Sequence, residues 1–148
     1  MKKTLIKGLI LIILGFFLGQ IIFSDKIELM KKLQKGDTYY FLGEGIYNSY
    51  DSIQNNININ RKIIESKNNK YYVYVGITRD KEVLEKLKEI YKKKNISLYT
   101  KEIILSSPEF KTNVEQFDLL IKNTKDYDQI LTIEEVVIAN YEEIIKKQ

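Results

Sequence analysis

Tyrosine, lysine and carboxylate are the only side chains of this sequence with obvious chemistry to offer. Among its 148 residues there is no histidine and no cysteine. That excludes a disulfide framework, Cys/His zinc sites, Ser-His-Asp or Cys-His nucleophiles, and histidine acid–base catalysis. Carboxylate catalysis and oxygen-ligand metal binding stay open in principle. Glu44 stands in an aromatic, β-prone stretch, but no second acid is paired to it, and glycoside hydrolysis needs two. The densest chemical signal is the run Lys70–Thr78, KYYVYVGIT. In a strand, Tyr72 and Tyr74 share one face and Val73 and Val75 the other. Valines suit a core. Phenols suit sugars, because one ring stacks on a C–H face and its hydroxyl reaches a sugar hydroxyl. Tyr72 and Tyr74 are therefore the first candidates for ligand contact. Phe41 and Gly43 on an earlier strand, and Tyr99 and Lys101 on a later one, complete the candidate surface. No cofactor and no metal is implied. The plain alternative is sheet packing, since tyrosine is a favoured strand residue, with the C-terminal segment covering the sheet.

These residues need strands to hold them, and the pattern supplies four. Residues 38–47 (TYYFLGEGIY), 61–65 (RKIIE), 70–78 and 96–105 (ISLYTKEIIL) are β-prone. Ser66-Lys67-Asn68-Asn69 reads as a hairpin turn. A short helix capped at Asn48 or Ser49 follows the first strand. The clearest amphipathic helix spans 80–93, with Val83, Leu84, Leu87, Ile90 and Tyr91 on one side and Asn95 ending it. Its Lys/Glu pattern reads as a solvated face with i,i+4 pairs. Two similar strand–Gly–helix units recur at an offset of 31 residues, Gly45 matching Gly76. The expected architecture is α+β: a ferredoxin-like or RNP-like βαββαβ unit over 38–105, a four-stranded antiparallel sheet with two helices on one face. The other face is expected to be open.

This order, a Gly closing the first and third strands, and the string Tyr71-Tyr72-Val73-Tyr74-Val75-Gly76 resemble the SPOR domain, the sporulation-related repeat. The resemblance covers about residues 38–105. It implies a non-enzymatic envelope protein that binds peptidoglycan glycan strands stripped of stem peptides, on the open sheet face, in division or sporulation. Two positions depart from the family pattern. Gly43 stands where a Gln is usual, and Glu44 where an apolar residue is usual.

Both ends of the chain carry their own signals. Lys2 and Lys3 precede an apolar run, and after Lys7 the stretch 8–24 is 17 residues long. As a helix it reaches ~25 Å, enough for a bilayer core with snorkelling lysines. A transmembrane anchor is expected over 1–24, N-terminus cytoplasmic and body extracytoplasmic, followed by a stalk over 25–37. The competing reading is a cleaved signal peptide, for which the cleavage site is poor, with bulky Ile21 and Ile22 before Phe23-Ser24-Asp25. Residues 106–148 read as two helices. Ser107-Pro108-Glu109 starts the first, and Phe110, Val114, Phe117 and Ile121 recur at helical steps. Ile130, Ile133, Val137, Tyr141 and Ile144 mark the second. This segment carries net charge −4 against +3 for residues 36–105. The hairpin docks on the sheet, dimerises, or recruits a protein partner in an envelope complex. The latter is the alternative function, a protein–protein adaptor. Residues 25–148 are nearly neutral at +1, so nucleic acid is not an expected partner.

Overall fold

A computed structural model describes residues 36–56 and 59–146. The expected anchor over 1–24 and nearly all of the stalk lie outside the described residues. No helix among the described residues is long and apolar enough to cross a membrane. Gly36–Gln148 forms one compact unit.

The elements run β1 (Asp37–Tyr47), α1 (Tyr50–Asn56), β2 (Ile63–Lys67), β3 (Lys70–Thr78), α2 (Lys81–Lys93), β4 (Tyr99–Leu105), α3 (Pro108–Asn123) and α4 (Tyr127–Ile144). The class is α+β. One four-stranded antiparallel sheet has the order β2-β3-β1-β4. Local chemistry explains the element ends. Asn68 and Asn69 take φ of 53° and 57°, as a two-residue hairpin loop with right-handed twist requires. Asp80 caps α2 by accepting from the backbone N–H groups of Glu82 and Val83 at 2.8 and 3.3 Å. The α2 end is a Schellman turn: Asn95 has φ 60°, and the N–H groups of Asn95 and Ile96 donate to Lys92 and Tyr91 carbonyls at 3.0 Å. Ser107 caps α3 with Pro108 behind it, and Asp126 caps α4.

Two irregularities between β1 and β3 decide which side chains face where. Leu42 pairs with Gly76, Gly43 with Tyr74, and Gly45 with Val73. Val75 on β3 and Glu44 on β1 are therefore each an extra residue in the ladder, a pair of bulges. Strict alternation would put Ile77 with Val73 and Val75. The bulge turns it to the opposite face, where it pairs with Phe41 and is fully buried.

One sheet face carries Val73 and Val75 under Ile53 of α1 and Tyr91 of α2, with Leu42 under Val83, Leu87 and Ile90. This is the two-helix face that periodicity predicts. The opposite face is not open, and here the expectation is corrected. Tyr39, Phe41, Ile63, Tyr74 and Ile77 pack against Phe110 and Val114 of α3 and Val137 and Ile138 of α4. The physical cause is area. A sheet face this apolar is stable only when covered, and α3 and α4 bring a matching apolar stripe. Near the α3–α4 connection Ile121 and Ile130 join the α2 cluster, so the hairpin reaches both cores.

Candidate functional site

The sheet brings all six sequence-predicted residues together at one end of the face beneath α3 and α4. Gly43 lies opposite Tyr74 on one side and Tyr99 on the other; Phe41 lies opposite Lys101. The Phe41 and Tyr74 rings meet edge-on at 5.5 Å, and Tyr74 meets Tyr99 at 6.4 Å. Lys101 Nζ donates to the Tyr74 hydroxyl at 3.0 Å and pairs with Glu65 at 3.3 Å. It also lies 5.6 Å from the centre of the Tyr72 ring. Burial pulls the Lys101 pKa down, but the Tyr74 hydroxyl and the Glu65 carboxylate outweigh it and hold the ammonium above its ordinary value. Desolvation, then the neighbouring Tyr74, pushes the Tyr99 phenol up.

Position and access differ among the six. Tyr74 and Phe41 are each 1% exposed, and Tyr141 of α4 packs edge-on to Phe41 at 5.3 Å. Gly43 is buried as well. These three belong to the core, and their expected role as ligand contacts is corrected on that ground. Tyr72, Tyr99 and Lys101 are half-buried. Beside Tyr72, its ladder partner Ile46 is 53% exposed. The accessible remnant is thus Tyr72 and Lys101 with Glu65 and Ile46, and part of the Tyr99 ring, whose hydroxyl is buried without a partner. Glu44 accepts from the Tyr47 hydroxyl at 2.8 Å, an internal use for this carboxylate of β1. Burial and this bond raise the Tyr47 phenol to about 12.

The glycine at position 43 has a local reason. A Cβ at Gly43 would overlap the Tyr99 ring, which lies flat across the strand at this point. Gly43→Ala is expected to lower unfolding free energy by about 1–3 kcal/mol. In Tyr99→Ala the same change should be nearly neutral, a coupling that a double-mutant cycle of chemical denaturation reads directly. Equal losses in both backgrounds would show that the ring is not the obstacle.

Two acids that periodicity passed over form a second centre. β2 reaches no further along β3 than Tyr74, leaving the outer edge of residues 75–79 without a strand. The hairpin fills it with carboxylates. Ile77 N–H donates to Glu134 Oε2 at 3.0 Å, Arg79 N–H to Asp118 Oδ2 at 3.0 Å, and the Thr78 hydroxyl to Asp118 Oδ1 at 2.6 Å. Residues 77 and 79 point their N–H groups to the same edge, so both acids cap it. Desolvation raises Glu134, 1% exposed, to about 8 and Asp118 to about 6. The signal was present in the sequence: Glu134 falls on the Ile130–Val137 stripe and Asp118 on the Val114–Ile121 stripe. Three of the four carboxylate oxygens accept from backbone or Thr78, and Glu134 Oε1 is buried without a partner; the three bonds close the edge. Among the described residues no group of three or more acids is placed to hold a metal.

No protein-family model, curated protein or solved structure matches this chain.

Proposed function

We propose that this chain is a non-enzymatic, membrane-tethered cell-envelope module on a SPOR-like, ferredoxin-like βαββαβ scaffold, which contacts peptidoglycan glycan strands in division or sporulation. Its N-terminal apolar segment is the tether, and the domain lies on the extracytoplasmic side. Contact is confined to the end of the sheet where the hairpin cover stops. The observation that carries this reading is half-buried Tyr72 and Lys101, with the Tyr99 ring behind them, beside exposed Ile46. Aromatic rings with an ammonium and a carboxylate at their edge offer a sugar both stacking and hydrogen bonds.

The test is co-sedimentation of residues 25–148 with intact and with amidase-treated, peptide-stripped peptidoglycan. The protein should pellet with the stripped material. Tyr72→Ala should weaken binding about three- to tenfold, the worth of one aromatic contact, with an unchanged melting curve. Tyr74→Ala is unsuitable as a binding probe, because truncating a buried ring costs about 3–5 kcal/mol of stability.

A second reading, an adaptor for a protein partner of an envelope complex, is favoured by a separate observation. Leu119 and Leu120 on α3 are 61% and 53% exposed. Wild-type protein that stays in the supernatant with both wall preparations would overturn the glycan reading and leave the adaptor in its place.

A further inference from the structure

Edge closure uses one oxygen of Glu134 and leaves the other idle. Oε2 accepts from the Ile77 N–H at 3.0 Å, whereas Oε1 is buried without a partner on a residue 1% exposed. Buried polar atoms are otherwise hydrogen-bonded almost without exception, so an orphan calls for an occupant. There is room for one. Glu134 lines a cavity of about 300 Å³ between the α2 end, the first half of α4 and the segment before β2. Val75, Ile96 and Leu131 give it apolar walls, and Tyr91 lines it as well.

Charge narrows the occupant. Two cations line the cavity, and each already has an acid: Arg61 meets Glu142 at 3.2 Å and Lys94 meets Asp128 at 3.8 Å. Glu134 and Glu135 make no ion pair with any described residue. The surplus is negative, and the Tyr91 phenol registers it: burial first, then Glu134 and Glu135, push its pKa up. A metal ion does not fit the surplus. Successive helix residues do not face each other, so Glu134 and Glu135 diverge, and among the described residues no group of three or more acids is placed to hold one. An ammonium needs only one carboxylate oxygen and brings hydrocarbon for the apolar walls. Burial holds the Glu134 carboxyl protonated up to about pH 8, and an entering ammonium takes the place of that proton, which leaves to solvent.

We propose that this cavity binds a small primary alkylammonium, which donates to Glu134 Oε1 and lays its alkyl chain against Val75, Ile96 and Leu131. Glu135 adds negative potential without a direct bond. No lining residue belongs to the Tyr72 patch, so the site stands or falls apart from glycan binding.

The experiment titrates the full chain, in non-ionic detergent micelles at pH 8, with n-butylammonium, and follows backbone amide resonances. The Ile77 amide is the reporter, because its N–H donates to the carboxyl that changes charge. In wild-type protein it should shift saturably, with a dissociation constant on the order of millimolar for so small a probe. Glu134→Gln keeps an acceptor for Ile77 and loses the charge; binding should weaken about tenfold or more. Glu143→Gln removes the same charge from an exposed position on α4 and should leave binding unchanged. Equal losses in the two variants would overturn the site, since only net charge would then matter. n-Butanol binding as tightly as n-butylammonium would overturn the cation. A wild-type Ile77 amide that does not shift saturably would overturn the proposal and leave Oε1 to a water.

Discussion

A chain ending at Ser106 should fail to fold, although it retains all four strands with α1 and α2. Phe110, Val114, Ile121, Ile130, Val137 and Ile138 of the hairpin are all buried. At ~1.5–3 kcal/mol for each buried apolar side chain, their loss removes roughly 10 kcal/mol or more, the scale of a whole domain's stability. The truncation also uncovers Tyr39, Phe41, Tyr74 and Ile77, and removes the stacking of Phe110 on Tyr39 at 5.3 Å. The edge N–H groups of Ile77 and Arg79 lose their acceptors at the same time. The expected result is a species without a cooperative thermal transition, with dye-accessible apolar surface and rapid amide exchange in β1 and β3. A truncated chain that melts cooperatively near the wild-type temperature would show that α3 and α4 are a removable cover. The hairpin would then be a regulatory lid over the tyrosine face rather than its third layer.

Stability should fall as pH rises from about 5 to 8. Glu134 is raised from 4.5 to about 8 and Asp118 from 3.8 to about 6, desolvation leading in both. In this window the unfolded chain has released both protons, while folded Asp118 keeps its own until about pH 6 and folded Glu134 until about pH 8. The folded state binds more protons, so unfolding free energy drops with increasing pH. The stabilisation is complete below about pH 4 and lost as pH passes through the folded values, Asp118 first and Glu134 last. The total is on the order of a few kcal/mol. Glu134→Gln keeps an oxygen for the Ile77 N–H and cannot ionise. It should match wild type near pH 5, exceed it at pH 8, and flatten the profile. Glu134→Ala leaves the Ile77 N–H without its acceptor, and should lose about 1–3 kcal/mol even at pH 5. Thermal melts at pH 5, 6.5 and 8 check both. A wild-type melting temperature that climbs across this range would refute the assignment of Glu134 as a neutral buried acid.

The hairpin covers the Phe41 and Tyr74 part of the sheet face, and both Gly43 and Glu44 have local uses. Gly43 makes room for the Tyr99 ring, and Glu44 occupies a bulge and holds the Tyr47 hydroxyl. Both positions serve local packing.

What the chain determined by itself was its local grammar. The paired asparagines at 68–69, the Asp80 cap, the 83–84–87–90–91 stripe and the Ser107-Pro108 start each act within a few residues, so element order and most boundaries were legible. β2 begins at Ile63 and β4 at Tyr99, two and three residues later than the sequence suggests, because the ladder partners on β3 and β1 begin there. The tertiary structure decided three things that no local pattern encodes. A helix stripe such as 110–114–117–121 states that it is buried, not against what; only docking reveals that its partner is the tyrosine face, which turns Tyr74 and Phe41 from contact residues into core. The Val75 bulge depends on the neighbouring strand, so the turn of Ile77 to the other face was invisible in a single strand's alternation. Glu134 and Asp118 are buried acids because β3 outruns β2 and its free N–H groups need acceptors. That need arises between elements far apart in sequence, and exists only once the sheet has formed.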